Sequence, residues 1–122
     1  MIPTTIVFRG LEPSEALRSA ALKHTERLER FAGDILTCRV AIESVERRHH
    51  QGRRFNASVH VVMDGCELDA SNEPALDPRY EDPYCAIADA FDAVRRRVQD
   101  RVRRRRGDVK SHAGRPPEQG AT

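Results

Sequence analysis

A chain of 122 residues, 33% of them charged and 39% hydrophobic, is long enough to bury one core and too short for two independent ones. Its net charge is only +2 and its mean hydropathy −0.65. No apolar run approaches the roughly 18 residues that would cross a bilayer. The opening MIPTTIVFRG lacks the basic region and apolar stretch of a secretory signal, so a cytoplasmic protein without a membrane partner is expected. Cys38, Cys66 and Cys85 are odd in number and have no CxxC spacing, which points to neither a disulfide framework nor a zinc knuckle.

In chain order, Thr5 to Phe8 reads as a short strand ended by Gly10 and Pro13. Pro13 and Ser14 are helix-start residues, and Leu17, Ala21, Leu28 and Phe31 recur at helical spacing until Gly33. From Ile35 to Glu46 the period becomes two, with Leu36, Cys38, Val40 and Ile42 sharing the apolar face. Phe55, Ala57, Val59, Val61 and Met63 repeat that alternation, and RRHHQGRR forms a polar hairpin tip between the two strands. Asp64-Gly65 is a two-residue hairpin signal, followed by a strand with Cys66, Leu68 and Ala70 inward.

NEPALDPRYEDP, with three prolines in twelve residues, predicts a loop rather than a regular element. Asp82 as N-cap and Pro83 at the first helical position then open a helix with Tyr84, Ile87, Phe91, Val94 and Val98 as its stripe, extended by Val102. The expected fold is α+β, ordered β-α-β-β-β-α: a four-stranded mixed sheet with both helices packed on one face. Residues 1–106 form this domain. Residues 107–122, rich in Gly, Pro and polar side chains, read as a disordered tail.

No convincing catalytic set emerges. His49, His50 and His60 with Cys66 lack metal-ligand spacing, and His60 falls on the opposite strand phase from Cys66. Glu67 and Asp69 share a strand face that reads as solvated. No cofactor, metal or small-molecule substrate is expected. His24 reads as a packed or partly exposed histidine rather than a base.

The arginines differ in kind. Between Asp89 and Arg106 stand eight arginines against three aspartates, so the remainder of the chain is net negative. On a helical wheel Arg95, Arg96, Arg97 and Arg101 avoid the apolar stripe. Pairs of Asp92 with Arg96 and of Asp100 with Arg104 would leave most of this charge unmatched. Arginine rather than lysine suits bidentate bonding to phosphate. A second basic cluster, Arg47, Arg48, Arg53 and Arg54, sits at the hairpin tip with only Phe55 beside it, so phosphate and shape readout is expected there rather than base stacking.

FRGLEPSEALRSAALKHTERLERFAGDILTCRVAIESVER, VHVVMDGCELDAS and PYCAIADAFDAVRRRV, together and in order, resemble the ribosome hibernation-promoting factor and ribosome-associated translation inhibitor family over about residues 4–106. The resemblance implies the same β-α-β-β-β-α fold. It also implies a partner, the small ribosomal subunit, bound in the messenger and transfer RNA channel so that translation stops in idle ribosomes. Carried over by position, Arg96 and Arg101 would contact RNA, with Arg95 and Arg97 beside them; Arg104, in the same basic run, joins the candidate RNA contacts. Ala88 and Ala93 stand where relatives often carry a basic residue. The resemblance is to a short form, without the C-terminal dimerisation or cold-shock domain of larger members. A double-stranded RNA module unconnected with ribosomes, whose α-β-β-β-α order is nested in this one, is the alternative. A metal-dependent hydrolase using the histidines is the remote one.

Overall fold

The computed structural model describes residues 2–46, 53–72 and 78–112; for Glu46, Arg53 and residues 105–112 it describes the backbone alone. Strand β1 (Thr4–Arg9) leads into α1 (Glu15–Phe31), then β2 (Ile35–Glu46), β3 (Arg53–Met63), β4 (Cys66–Ser71), a 3-10 turn (Pro78–Glu81) and α2 (Pro83–His112). The sheet order is β1-β2-β3-β4. β1 lies parallel to β2, with Thr4 opposite Cys38, while β2–β3 and β3–β4 are antiparallel. A parallel neighbour requires a crossover, and α1 supplies it.

Side-chain alternation decides which face is covered. Cys38, Val40 and Ile42 of β2, Ala57, Val59, Val61 and Met63 of β3, and Ala70 of β4 point into the core. Leu17, Ala21 and Leu28 of α1 and Ala86, Ile87, Ala90, Phe91, Val94 and Val98 of α2 close over them from one side. The other face stays open, as half-buried antiparallel sheets commonly leave it.

Caps explain where the helices start. Ser14 Oγ accepts from Leu17 N at 3.2 Å, a contact generally worth about 1 kcal/mol. Asp82 Oδ1 accepts from Tyr84 N at 2.9 Å, and the Asp82 carbonyl accepts from Cys85 N and Ala86 N. α1 ends before Gly33: Ala32 is already extended, and its N–H reaches Leu28 O at 3.1 Å.

Several local expectations are corrected. Leu36, assigned to the core face, is 53% exposed. Ile35 pairs with Met63 but Thr37 with Val62, so Leu36 is the extra residue of a β-bulge that resets the alternation before Cys38. Tyr84 is 46% exposed and Phe31 is also exposed; each occupies a helix end beyond the sheet's cover. The proline-rich loop contains the 3-10 turn, whose Tyr80 is buried and donates to Asp89 Oδ2 at 2.6 Å. Residues 107–122 read as a disordered tail, but α2 runs through Gly107 to His112, and residues 113–122 lie outside what is described. A single interior glycine costs about 1 kcal/mol, which weakens a helix without stopping it.

Asn72 extends the sheet beyond β4 with its side chain. Its Oδ1 accepts from Ala57 N at 2.8 Å and its Nδ2 donates to Phe55 O at 3.1 Å, while its own N–H reaches Ala57 O. A carboxamide carries one acceptor and one donor group, so it can replace a strand residue's pairing. Among the described residues, no helix is long and apolar enough to cross a membrane.

Candidate nucleic-acid interface

The stripe that docks α2 dictates where its arginines go. With Phe91, Val94 and Val98 buried, Arg95, Arg96 and Arg97 emerge together on the solvent side, and Arg103 and Arg104 follow a turn or two later. Asp92 takes two of them: its Oδ1 accepts from Arg95 Nη2 at 2.6 Å and its Oδ2 from Arg96 Nη2 at 2.5 Å. The Arg95 hydrogen bond, with both guanidinium charges, holds the Asp92 carboxyl below its usual range against the opposing effect of burial. Asp100 approaches Arg103 at 4.0 Å rather than the expected Arg104. Exposed pairs of this kind contribute only about 0.2–1 kcal/mol each. Arg97 and Arg104 have no ion-pair partner among the described residues. The result is a surface with an uncompensated positive charge.

Not every arginine of the expected set stands on that surface. Arg101 is half-buried, and its Nη2 donates to Asp64 O at 3.0 Å, pinning the middle of α2 to the β3–β4 turn. Its buried Nε has no hydrogen-bond partner among the described residues. Gly65, at φ +92°, lets the turn pass beneath this guanidinium: a Cβ there would meet Arg101 Nη2 at 3.2 Å. Arg54, expected at the exposed hairpin tip, is only 8% exposed. Its Nη2 lies 3.9 Å from Glu81, so it ties β3 to the 3-10 turn. Arg53 opens β3, but its side chain, like the whole of Arg47, Arg48, His49 and His50, lies outside what is described.

The α1–α2 groove borders the arginine surface. His24 stacks on Phe91 with ring centroids 5.1 Å apart and planes 16° from parallel. Burial, reinforced by Arg27, lowers the His24 pKa below its usual value. A cavity of about 190 Å³ opens beside this pair, with Arg27 and Arg95 on its walls. Helical spacing in either helix alone could not reveal this juxtaposition, because it depends on how the two helices cross.

The open sheet face is arranged differently. Arg39, His60 and Asp69 occupy neighbouring positions on β2, β3 and β4. His60 Nδ1 lies 2.5 Å from Asp69 Oδ1, and its Nε2 lies 3.0 Å from Glu67 Oε1. The Asp69 hydrogen bond, helped by both carboxylate charges, raises the His60 pKa despite some burial. Cys66 packs against the core on the other side of the sheet, so it and His60 cannot share an ion. Among the described residues, no group of three or more His, Cys, Asp and Glu is placed to hold a metal.

Two solved structures share this architecture. The N-terminal domain of Thermus thermophilus Protein Y aligns with a TM-score of 0.60 at 22% identity, covering 82% of this chain and 98% of that one. A ribosomal subunit interface protein from Coxiella burnetii aligns with a TM-score of 0.64 at 13% identity, covering 81% of this chain and 96% of that one. At such identities the likeness is one of fold. No curated protein matches the chain by sequence. The family model described as sigma 54 modulation protein / S30EA ribosomal protein matches residues 4–106, nearly the whole folded region. The chain therefore belongs to the sigma 54 modulation protein / S30EA ribosomal protein family.

Proposed function

We propose that the protein binds the small ribosomal subunit in the channel used by messenger and transfer RNA, and that its presence there inhibits translation in idle ribosomes. It acts by occupancy in the cytoplasm, without catalysis, cofactor or small-molecule substrate. The observation that carries this reading is the uncompensated arginine surface on α2, displayed by a fold of the S30EA family. Guanidinium groups on a rigid helix are placed to bond phosphates of a folded RNA, where shape rather than sequence is read. Arg95, Arg96, Arg97 and Arg104 are the contacts the geometry supports directly; Arg101 contributes by fixing the helix. Residues 1–106 carry the activity.

The charge lies in the middle and end of the last helix, whereas a double-stranded RNA module uses its first helix, a strand loop and the start of its last helix. Sedimentation through sucrose tests the reading. The protein should travel with whole ribosomes and isolated small subunits, and should inhibit cell-free translation. Remaining in the supernatant with both at low salt would refute it.

A further inference from the structure

Charge alone does not account for the cavity between the helices. Its lining combines His24 and Arg27 of α1 with Ala88, Phe91, Asp92 and Arg95 of α2. At about 190 Å³ it is smaller than the roughly 300–1,000 Å³ pockets of drug-sized ligands, and suits one planar ring system. Ala88 contributes a single methyl group, which leaves the space open.

We propose that this cavity binds one unpaired guanine nucleotide, with the base stacked on His24, its Watson–Crick edge on Asp92 and its phosphate at Arg27. The inference rests on the RNA-binding reading above and deepens it, because the cavity adjoins the same arginine surface. One face of the His24 ring is already covered by Phe91. A base entering the cavity would meet the His24 and Phe91 rings that line it, the manner in which unpaired RNA bases meet aromatic side chains. The lowered His24 pKa leaves the ring uncharged at neutral pH, so it serves as a surface for stacking rather than as another phosphate contact.

Asp92 selects the base. An ionised carboxylate only accepts hydrogen bonds, and each oxygen has more than one lone pair. Arg95 and Arg96 occupy one site on each oxygen, leaving capacity on both. Guanine presents two adjacent donors, N1–H and the N2 amino group, which match two carboxylate oxygens. Adenine and cytosine place an acceptor nitrogen beside their amino group, and uracil's single N–H lies between two carbonyls. A phosphate would be repelled by Asp92, which places it toward the Arg27 side.

Fluorescence anisotropy with pentaribonucleotides tests the proposal. The full-length chain should bind UUGUU about five-fold or more tightly than UUUUU or UUAUU, the smaller discrimination expected of a bidentate base contact. Ala88→Leu, which fills the cavity without changing charge, should bring that ratio to about one. Asp92→Asn should shift preference from guanine toward adenine, since a carboxamide pairs with adenine's donor and acceptor. His24→Ala should weaken UUGUU binding and His24→Phe should restore it. Competition by free GMP at concentrations similar to UUGUU would assign the site to mononucleotides, and failure to compete would assign it to RNA; either agrees with a guanine site. Equal affinity for all three oligonucleotides, or a guanine preference that survives Ala88→Leu in a folded variant, would overturn the proposal. Co-sedimentation with ribosomes, run alongside, separates the two readings: ribosome binding without guanine preference defeats the cavity assignment alone.

Discussion

Two polar surfaces flank one core, the outward side of α2 and the open side of the sheet, and they treat charge in opposite ways. On the sheet, cations and carboxylates are interspersed: His60 sits between Asp69 and Glu67, Arg39 lies level with His60, and Arg9 is level with Glu43 on the next strand. On α2, a single aspartate answers Arg95 and Arg96, while Arg97 and Arg104 have no ion-pair partner among the described residues. Charge balanced by its neighbours keeps a surface wet. Charge left unbalanced on a rigid element is held ready for an external anion, and this contrast separates solvation from binding.

Charge substitution on the two surfaces should give the largest difference. Arg96→Glu with Arg97→Glu should abolish co-sedimentation with ribosomes at physiological salt, and should flatten log affinity against log salt by about 0.7 to 0.9 for each phosphate no longer engaged. The melting temperature should hold, since both side chains are exposed. Glu43→Gln with Glu67→Gln on the sheet should leave ribosome binding at the parental level. If the two double variants behave alike, position on α2 carries no special role.

A smaller effect is expected at the support behind the arginine surface. Gly65→Ala places a Cβ on a residue at φ +92° and within 3.2 Å of Arg101 Nη2. Strain of that kind costs about 1–3 kcal/mol, enough to lower the melting temperature by several degrees. The arginine end can move aside, so the backbone conformation should dominate the loss. An unchanged melting temperature would show that the turn relaxes freely.

The subtlest difference is in titration. NMR should place the His60 pKa above 6.5 and the His24 pKa below it. The carboxylate clamp on protonated His60 stabilises fully below pH 6.5, its unfolded value, and that contribution fades as pH rises through the raised folded value. His24, lowered in the folded state, opposes folding increasingly as pH falls below 6.5. Equal pKa values for the two would erase the distinction between sheet face and helix groove.

The architecture was legible because each element keeps one period over its length. Val59, Val61 and Met63 alternate cleanly, and Ile87, Phe91, Val94 and Val98 hold their helical spacing. Failures occur where an outcome depends on a partner distant in sequence. The Leu36 bulge is set by β3, and Arg54 is buried beside Glu81 of the 3-10 turn. Arg101 lies on the solvent side of a wheel, yet a turn from another element reaches it. Asn72 resembles any loop asparagine until Ala57 and Phe55 are seen beside it. The His24–Phe91 stack needed the helix crossing itself, although a histidine and an aromatic each on a helix face are its faint trace in sequence.

The parallel pairing of β1 with β2 also bears on the order in which the chain assembles. β2, β3 and β4 meet through two hairpins, whose contacts are close along the chain. Thr4 meets Cys38 only after α1 has been laid across the sheet, and closing so long a loop costs entropy before any contact repays it. β1 should therefore dock last, onto a preformed three-stranded meander. A core truncation there, such as Ile6→Ala, should accelerate unfolding while hardly slowing folding. The same truncation in β3, Val59→Ala, should slow folding. The lifetime of the native state would then be governed by how readily the first strand peels from the sheet.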